Sequence, residues 1–340
     1  MALRDERVTL AHGGGGKAMR DLIEEVFTSV FQPPGMEDQA RLSAEALTEP
    51  GAKLAFTTDS FVVTPLEFPG GDIGKIAVCG TVNDLAVGGA RPLWLSAAFI
   101  IEEGTEIALL RRIVATMARE AEAAGVRIVT GDTKVVGRGG CDGVFVTTAG
   151  VGVIPPGRVM AAERVRPGDV AIVNGVLGDH GATILAARGD LSISSAIKSD
   201  CASLGHLMEA VIAAAPQARA ARDLTRGGLA SALNEIAEAA GCGIEISEAD
   251  LPLRAEVVGT CEILGLDPLY LANEGRVVVF VPPEEAQAAL TAMRAFAEGR
   301  DAVVIGQAVS AHAGQVRMKT ALGGARIVDM LVGEQLPRIC

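Results

Sequence analysis

The stretch that decides the fold is Gly70–Ile101, GGDIGKIAVCGTVNDLAVGGARPLWLSAAFII. Ile76, Ala77, Gly80 and Leu85 keep small or apolar groups along Gly74–Val87, which predicts a helix. Leu93–Ile101 is almost wholly apolar and predicts a buried strand. Upstream, Met19, Leu22, Ile23, Val26, Phe27 and Val30 recur at helical spacing over Ala18–Phe31, until Pro33, Pro34 and Gly35 stop the pattern. Residues 53–58 read as a strand ending at Asp59. Downstream come an Ala-rich amphipathic helix over 106–124 and β runs over 126–136 and 143–153.

Pro155-Pro156-Gly157 marks a boundary. A second set of elements follows, with strands over 169–174, 243–247, 276–281 and 302–308 and helices over 180–188, 203–214, 227–240 and 284–297. Mixed elements on both sides predict an α+β (α/β mixed) chain of two domains, 1–155 and 156–319. Residues 320–340 show weak periodicity and the turn signals Gly323-Gly324 and Pro337, and read as a mobile tail ending in a thiol.

The chain has 340 residues, 49% of them hydrophobic and 21% charged, which excludes a wholly disordered protein. Aromatic residues make up only 3%, so the core must be built from aliphatic side chains. The net charge of −12 repels a phosphate backbone and argues against nucleic-acid binding. A phosphate ligand would need screening by metal ions or a grip by backbone N–H groups. Arg4, Asp5, Glu6 and Arg7 stand where a signal peptide needs apolar residues, and no apolar run approaches the roughly 18 residues of a membrane span. Six cysteines lie scattered without a CxxC pair, which fits reduced thiols in a cytoplasm rather than disulfides or a zinc site.

Candidate chemistry begins at His12-Gly13-Gly14-Gly15-Gly16-Lys17, ahead of a helix. Such glycines let several N–H groups converge on one anion, although a plain flexible hinge has the same composition. Asp59, Asp84, Asp132 and Asp223 each sit beside small residues at or near element ends. Any one of them reads most simply as a cap, but four together, with a Gly-rich loop, suit a Mg–ATP site. Asp84 falls inside the predicted helix, an odd place for a cap and a better one for a ligand. Glu274, in Asn273-Glu274-Gly275-Arg276, is either a general base or a turn carboxylate paired with Arg276. The terminal Cys340 has the wrong position for a prenylation box, and an exposed free thiol is a liability unless it is used.

Together, AHGGGGKAMRDLI, FTTDSFVVTP, the GGDIGKIAVCGTVNDLAVGGARP segment, VTGDTKVV, ARDLTRGGLA, NEGR and the terminal PRIC resemble the hydrogenase expression/formation (HypE) family over essentially the whole chain. That family belongs with the aminoimidazole ribonucleotide synthetases and selenophosphate synthetases. The resemblance implies a two-domain aminoimidazole ribonucleotide synthetase-like fold: an N-terminal ATP-binding and dimerising sheet domain, a C-terminal α/β domain and a mobile tail. It implies an ATP-dependent enzyme that dehydrates an S-carbamoyl group on the terminal Cys to a thiocyanate, supplying the cyanide ligands of the [NiFe]-hydrogenase iron. It further implies a cytoplasmic homodimer that uses Mg²⁺ and works with the carbamoyltransferase HypF and the HypC–HypD complex. By motif, Cys340 would carry the carbamoyl group, Glu274 and Lys134 would assist the chemistry, and Asp59, Asp84 and Asp223 would hold metal. Gly13, Gly14, Gly15, Gly16, Lys17, Asp132 and Lys134 would bind ATP, together with Asp59 and Asp84.

Overall fold

The computed structural model describes residues 5–34, 39–45, 48–189, 197–331, 333, 336 and 338–340; Pro337 of the terminal motif lies outside them. The first half runs α1 (Lys17–Leu22), a π-helical turn (Ile23–Thr28), α2 (Ser29–Phe31), β1 (Lys53–Phe61), β2 (Glu67–Phe68), β3 (Gly71–Asp72), α3 (Ile73–Val87), β4 (Arg91–Glu102), α4 (Ile107–Ala123), β5 (Arg127–Val136) and β6 (Val144–Ile154). The second half runs β7 (Val170–Val173), α5 (Asp179–Arg188), α6 (Gly205–Ala214), β8 (Ala220–Asp223), α7 (Gly228–Ala240), β9 (Gly243–Ser247), α8 (Ala255–Leu264), β10 (Val277–Val281), α9 (Ala286–Arg294), β11 (Val303–Val309), β12 (Val316–Lys319) and β13 (Ala325–Val328).

The first half folds around a four-stranded sheet in the order β1-β6-β4-β5. Strand alternation splits its residues between two faces. Leu95, Ala97, Phe99 and Ile101 of β4, with Val144 and Val146 of β6, are buried in one core with α3 and α4. The other face carries Phe56, Ile100 and, at the edge, Leu54, and these remain open to solvent: Phe56 is 69% exposed.

The second half folds around a seven-stranded sheet in the order β13-β12-β9-β11-β7-β10-β8. Helix α3 joins the two halves. Asp72 caps it, its carboxylate accepting from the Lys75 N–H at 2.9 Å. A β-carbon on Gly74 would stand 2.6 Å from the Ile113 carbonyl oxygen, so glycine lets α3 lie against α4. At the other end Asn83 binds the second half twice, donating to the Ala202 carbonyl at 3.0 Å and accepting from the Leu204 N–H at 2.7 Å. Helix α3 is therefore buried almost all round, a covered helix rather than an amphipathic one.

One expectation needs correction. Residues 320–340 are not simply a tail: Ala325–Val328 pairs antiparallel with Val316–Lys319 at the end of the second sheet, burying Met318 and Val328. Their short alternation leaves only every second side chain in the core, too little to stand out in the sequence. The last residues are docked: Ile339 bridges Val63 antiparallel and is 5% exposed. Strand β8, which ends at Asp223, and helix α8 also had no counterpart in the sequence reading.

Candidate active site

Cys340 enters the groove where the two halves meet. The Val62 N–H donates to the Cys340 carbonyl at 3.1 Å and the Thr64 N–H to the Arg338 carbonyl at 3.2 Å, so the terminus lies alongside the chain leaving β1. Arg188 clamps both strands, donating to the carbonyls of Thr64 at 3.0 Å and Arg338 at 2.7 Å. Arg338 also pairs with Asp142 at 3.0 Å.

His180 completes the dock from below. Its Nε2 stands 2.8 Å from the Ile339 carbonyl and its Nδ1 stands 2.8 Å from Ser199 Oγ. A carbonyl only accepts, so Nε2 carries the proton and Nδ1 accepts from Ser199. Burial lowers the His180 pKa and keeps this ring neutral.

The docked sulfur lies against a cation. The Arg226 guanidinium donates to Cys340 Sγ at 3.7 Å. Burial first, then the negative charge of Glu274, pushes the thiol up to about 12, against the pull of Arg226. At neutral pH the docked residue is a thiol.

Glu274 is 2% exposed, and among the described residues neither carboxylate oxygen has a hydrogen-bond partner. Burial, with Asp200, Asp223 and Asp59 nearby, raises its pKa well above the usual carboxylate range. The turn pairing with Arg276 does not form. Arg276 pairs instead with Asp200 at 3.5 Å, and Asp200 also accepts from the N–H groups of Glu274 and Gly275 at 3.2 Å each. Asp200 therefore holds the turn and leaves the Glu274 carboxyl free.

Asp59, Asp84 and Asp223 converge from β1, α3 and β8. Each is raised by burial, and their shared negative charge adds to this at Asp84 and Asp223. Asp223 reaches about 7. Thr57 steadies Asp84 by donating at 2.9 Å. Such uncompensated oxygen donors fit a hard divalent cation. Among the described residues, however, no three His, Cys, Asp or Glu side chains already stand as a ligating set.

The remaining predicted residues lie elsewhere. Asp59 shares a row across the sheet with Thr148, Ala97 and Gly131, three strand spacings or roughly 14 Å from β5. Asp132 and Lys134 alternate onto the open face, where they pair with each other at 3.5 Å. One chain therefore does not bring Lys134 to Cys340. In the Gly-rich loop, Gly13 packs on Val135 of β5, Gly15 and Gly16 are unobstructed, and Lys17 pairs with Asp21 at 2.5 Å. Beside it, Ile23, Phe27, Phe31, Phe99 and the Val129–Thr133 edge of β5 line a cavity of about 190 Å³.

Four groups of this site went unread in the sequence: Arg226, His180, Arg188 and Asp200. Arg226 stands inside the quoted ARDLTRGGLA motif. His180 and Asp200 act through partners far along the chain, which no local pattern reveals.

Models of the AIR synthase related protein family match this chain twice, the N-terminal domain over residues 37–154 and the C-terminal domain over 166–319. Carbamoyl dehydratase HypE of Rhodobacter capsulatus is 86% identical over 340 residues, covering 100% of both chains. Among solved structures, hydrogenase maturation protein HypE in complex with ATP superposes with a TM-score of 0.92 at 47% identity, covering 98% of this chain and 99% of the other. A HypE–HypF complex matches with a TM-score of 0.79 at 45% identity, covering 91% of this chain and 99% of the other. The chain belongs to the HypE family of carbamoyl dehydratases.

Proposed function

We propose that this chain uses ATP to dehydrate a carbamoyl group carried on its own Cys340, giving a thiocyanate for the cyanide ligands of a [NiFe]-hydrogenase iron. The observation that carries the reading is the docking of the terminal sulfur against Arg226, within the field of a buried Glu274 carboxyl that has no hydrogen-bond partner among the described residues. Family membership and the ATP complex of a 47% identical relative support it.

The reaction removes water in two parts. The carbonyl oxygen of Cys340–S–C(=O)NH₂ attacks the γ-phosphorus, and the bond to the β-phosphate oxygen breaks, releasing ADP. The nitrogen then gives up both protons while the carbon–oxygen bond breaks and phosphate departs with that oxygen. This leaves Cys340–S–C≡N, phosphate and two protons. Phosphorylation is what turns oxide, a very poor leaving group, into a good one. Glu274 takes one proton from nitrogen and the departing phosphate takes the other: the raised pKa of Glu274 makes its carboxylate a stronger base than an ordinary one.

Asp59, Asp84 and Asp223 would hold Mg²⁺, which neutralises charge on the transferred phosphoryl group. The nucleotide base fits the aromatic-lined cavity, where among the described residues the outer backbone groups of edge strand β5 have no neighbouring strand. Gly13–Lys17 close over the phosphates, with Asp132 at the cavity rim.

Lys134 and Asp132 project from the open sheet face that also bears Phe56. A homodimer built on that face covers the exposed apolar side chains and brings the pair to a second copy. In this reading residues 1–155 bind ATP and dimerise, and residues 156–319 add Asp223 and Glu274. HypF loads the thiol while the tail is undocked, and the HypC–HypD complex receives the cyano group. A sulfur that must stay free and reduced fits the cytoplasm.

Phosphate release by the carbamoyl-loaded chain tests the reading. One phosphate per loaded Cys340 is expected on adding MgATP, and none from a Cys340→Ala chain. Equal release from both would overturn it.

A further inference from the structure

The Cys340 sulfur contacts one charged side chain and lies in the field of another. Arg226 is exposed and touches it through a guanidinium nitrogen at 3.7 Å. Glu274 is buried, and neither of its oxygens is engaged among the described residues. A guanidinium only donates hydrogen bonds, and Glu274 in the carboxylate form that serves as base only accepts them. A carbamoyl group on that sulfur has the same polarity in reverse, with an acceptor oxygen on one arm and a donor NH₂ on the other.

The loop that presents Arg226 is built for one conformation. Gly227 and Gly228 follow it with φ of 82° and 59°, and α7 starts at Gly228. A β-carbon at Gly228 would stand 2.5 Å from the Leu269 carbonyl oxygen and 2.6 Å from that of Leu271. Both positive φ and lack of room demand glycine here, and they set Arg226 at the lip of the groove.

We infer that Arg226 orients the loaded carbamoyl group: its guanidinium donates to the carbonyl oxygen, while Glu274 accepts from the NH₂. This assignment rests on the carbamoyl chemistry proposed above and adds to it the direction of the group. The oxygen points to the exposed side, where a nucleotide can approach. The nitrogen points to the buried base. Rotated by half a turn about the S–C bond, the group would set its oxygen against an acceptor and its NH₂ against a donor. The site therefore selects which heteroatom is phosphorylated. Lys134, on the far face of the sheet, cannot do this within one chain.

The test loads wild-type and Arg226→Ala chains with a carbamoyl group isotopically labelled at the carbonyl carbon. Infrared difference spectra are taken before ATP is added, and single-turnover thiocyanate formation is followed afterwards. A guanidinium hydrogen bond weakens the C=O bond, so the labelled band should move to higher frequency in Arg226→Ala. Thiocyanate formation should fall by about 10²-fold, the scale of losing one aligned donor. Added guanidinium ion should restore part of the rate and shift the band back, and Arg226→Lys should lie between. A band unchanged by the substitution overturns the assignment, whether or not the rate falls. A full rate with a shifted band also overturns it. The wild-type chain separates the two claims: if it forms thiocyanate while Arg226→Ala behaves identically, only the orienting role fails, and if wild type forms none, the carbamoyl reading itself fails.

Discussion

The Nε2 of His180 meets the carbonyl oxygen of Ile339 at 2.8 Å, across 159 positions of chain. The bond ties the start of α5 to the last peptide and fixes how far Cys340 reaches into the groove. His180→Leu removes the donor and leaves a buried carbonyl without its partner, a loss of about 1–3 kcal/mol. The tail of this variant should undock more often. Alkylation of Cys340 by iodoacetamide should accelerate roughly tenfold or more, while ATP binding stays intact. An unchanged alkylation rate would remove His180 as the latch.

Glu274→Gln keeps the shape of the side chain and removes its proton affinity. Thiocyanate formation from a loaded chain should drop about 10²- to 10⁴-fold. Because the native carboxyl is buried without partners, the same change should leave stability equal or higher. A normal single-turnover rate in Glu274→Gln would show that the base lies elsewhere.

The first half of the fold was readable because its patterns are local. Gly74–Val87 and Leu93–Ile101 are long apolar segments, and the structure places α3 and β4 over nearly the same residues. Strand β8, AARD, was missed because four residues with two alanines carry no alternation, yet it delivers Asp223. The contacts that dock the terminus were illegible for a different reason. Its partners are backbone groups at Val62 and Thr64 and side chains at Arg188 and His180, so nothing in the last residues themselves announces it. Likewise Glu274 looked like a partner for Arg276, until Asp200 took that place from 74 positions upstream.

Asp223 makes stability depend on pH. Its pKa rises from 3.8 to about 7 on folding, so the native state binds the proton more tightly than the unfolded chain. That contribution is fully present below about pH 4 and is lost as pH rises through 7. Asp223→Asn removes the slope. With divalent cations chelated, the variant should exceed wild type by about 2–4 kcal/mol at pH 8, and the gap should close near pH 4. Thermal melts at the two pH values check this; parallel melting curves would mean that Asp223 is not held among unscreened charges.

Phe56 tests the open sheet face. At 69% exposure it has little to lose within one chain, so Phe56→Arg should cost less than about 0.5 kcal/mol in a monomer. In the proposed homodimer it places a charge in the interface. Sedimentation should then show a monomer, and phosphate release should fall at least tenfold because Lys134 and Asp132 no longer meet a second copy. A dimer of wild-type affinity would place the interface on another surface.

The most direct measurement is the mass of the C-terminal peptide ending in Cys340, taken from the carbamoyl-loaded chain before and after MgATP. The expected change is a loss of about 18 Da, one water, confined to that peptide and matched by one phosphate released. ATP consumed while the peptide keeps its carbamoyl mass would contradict the account.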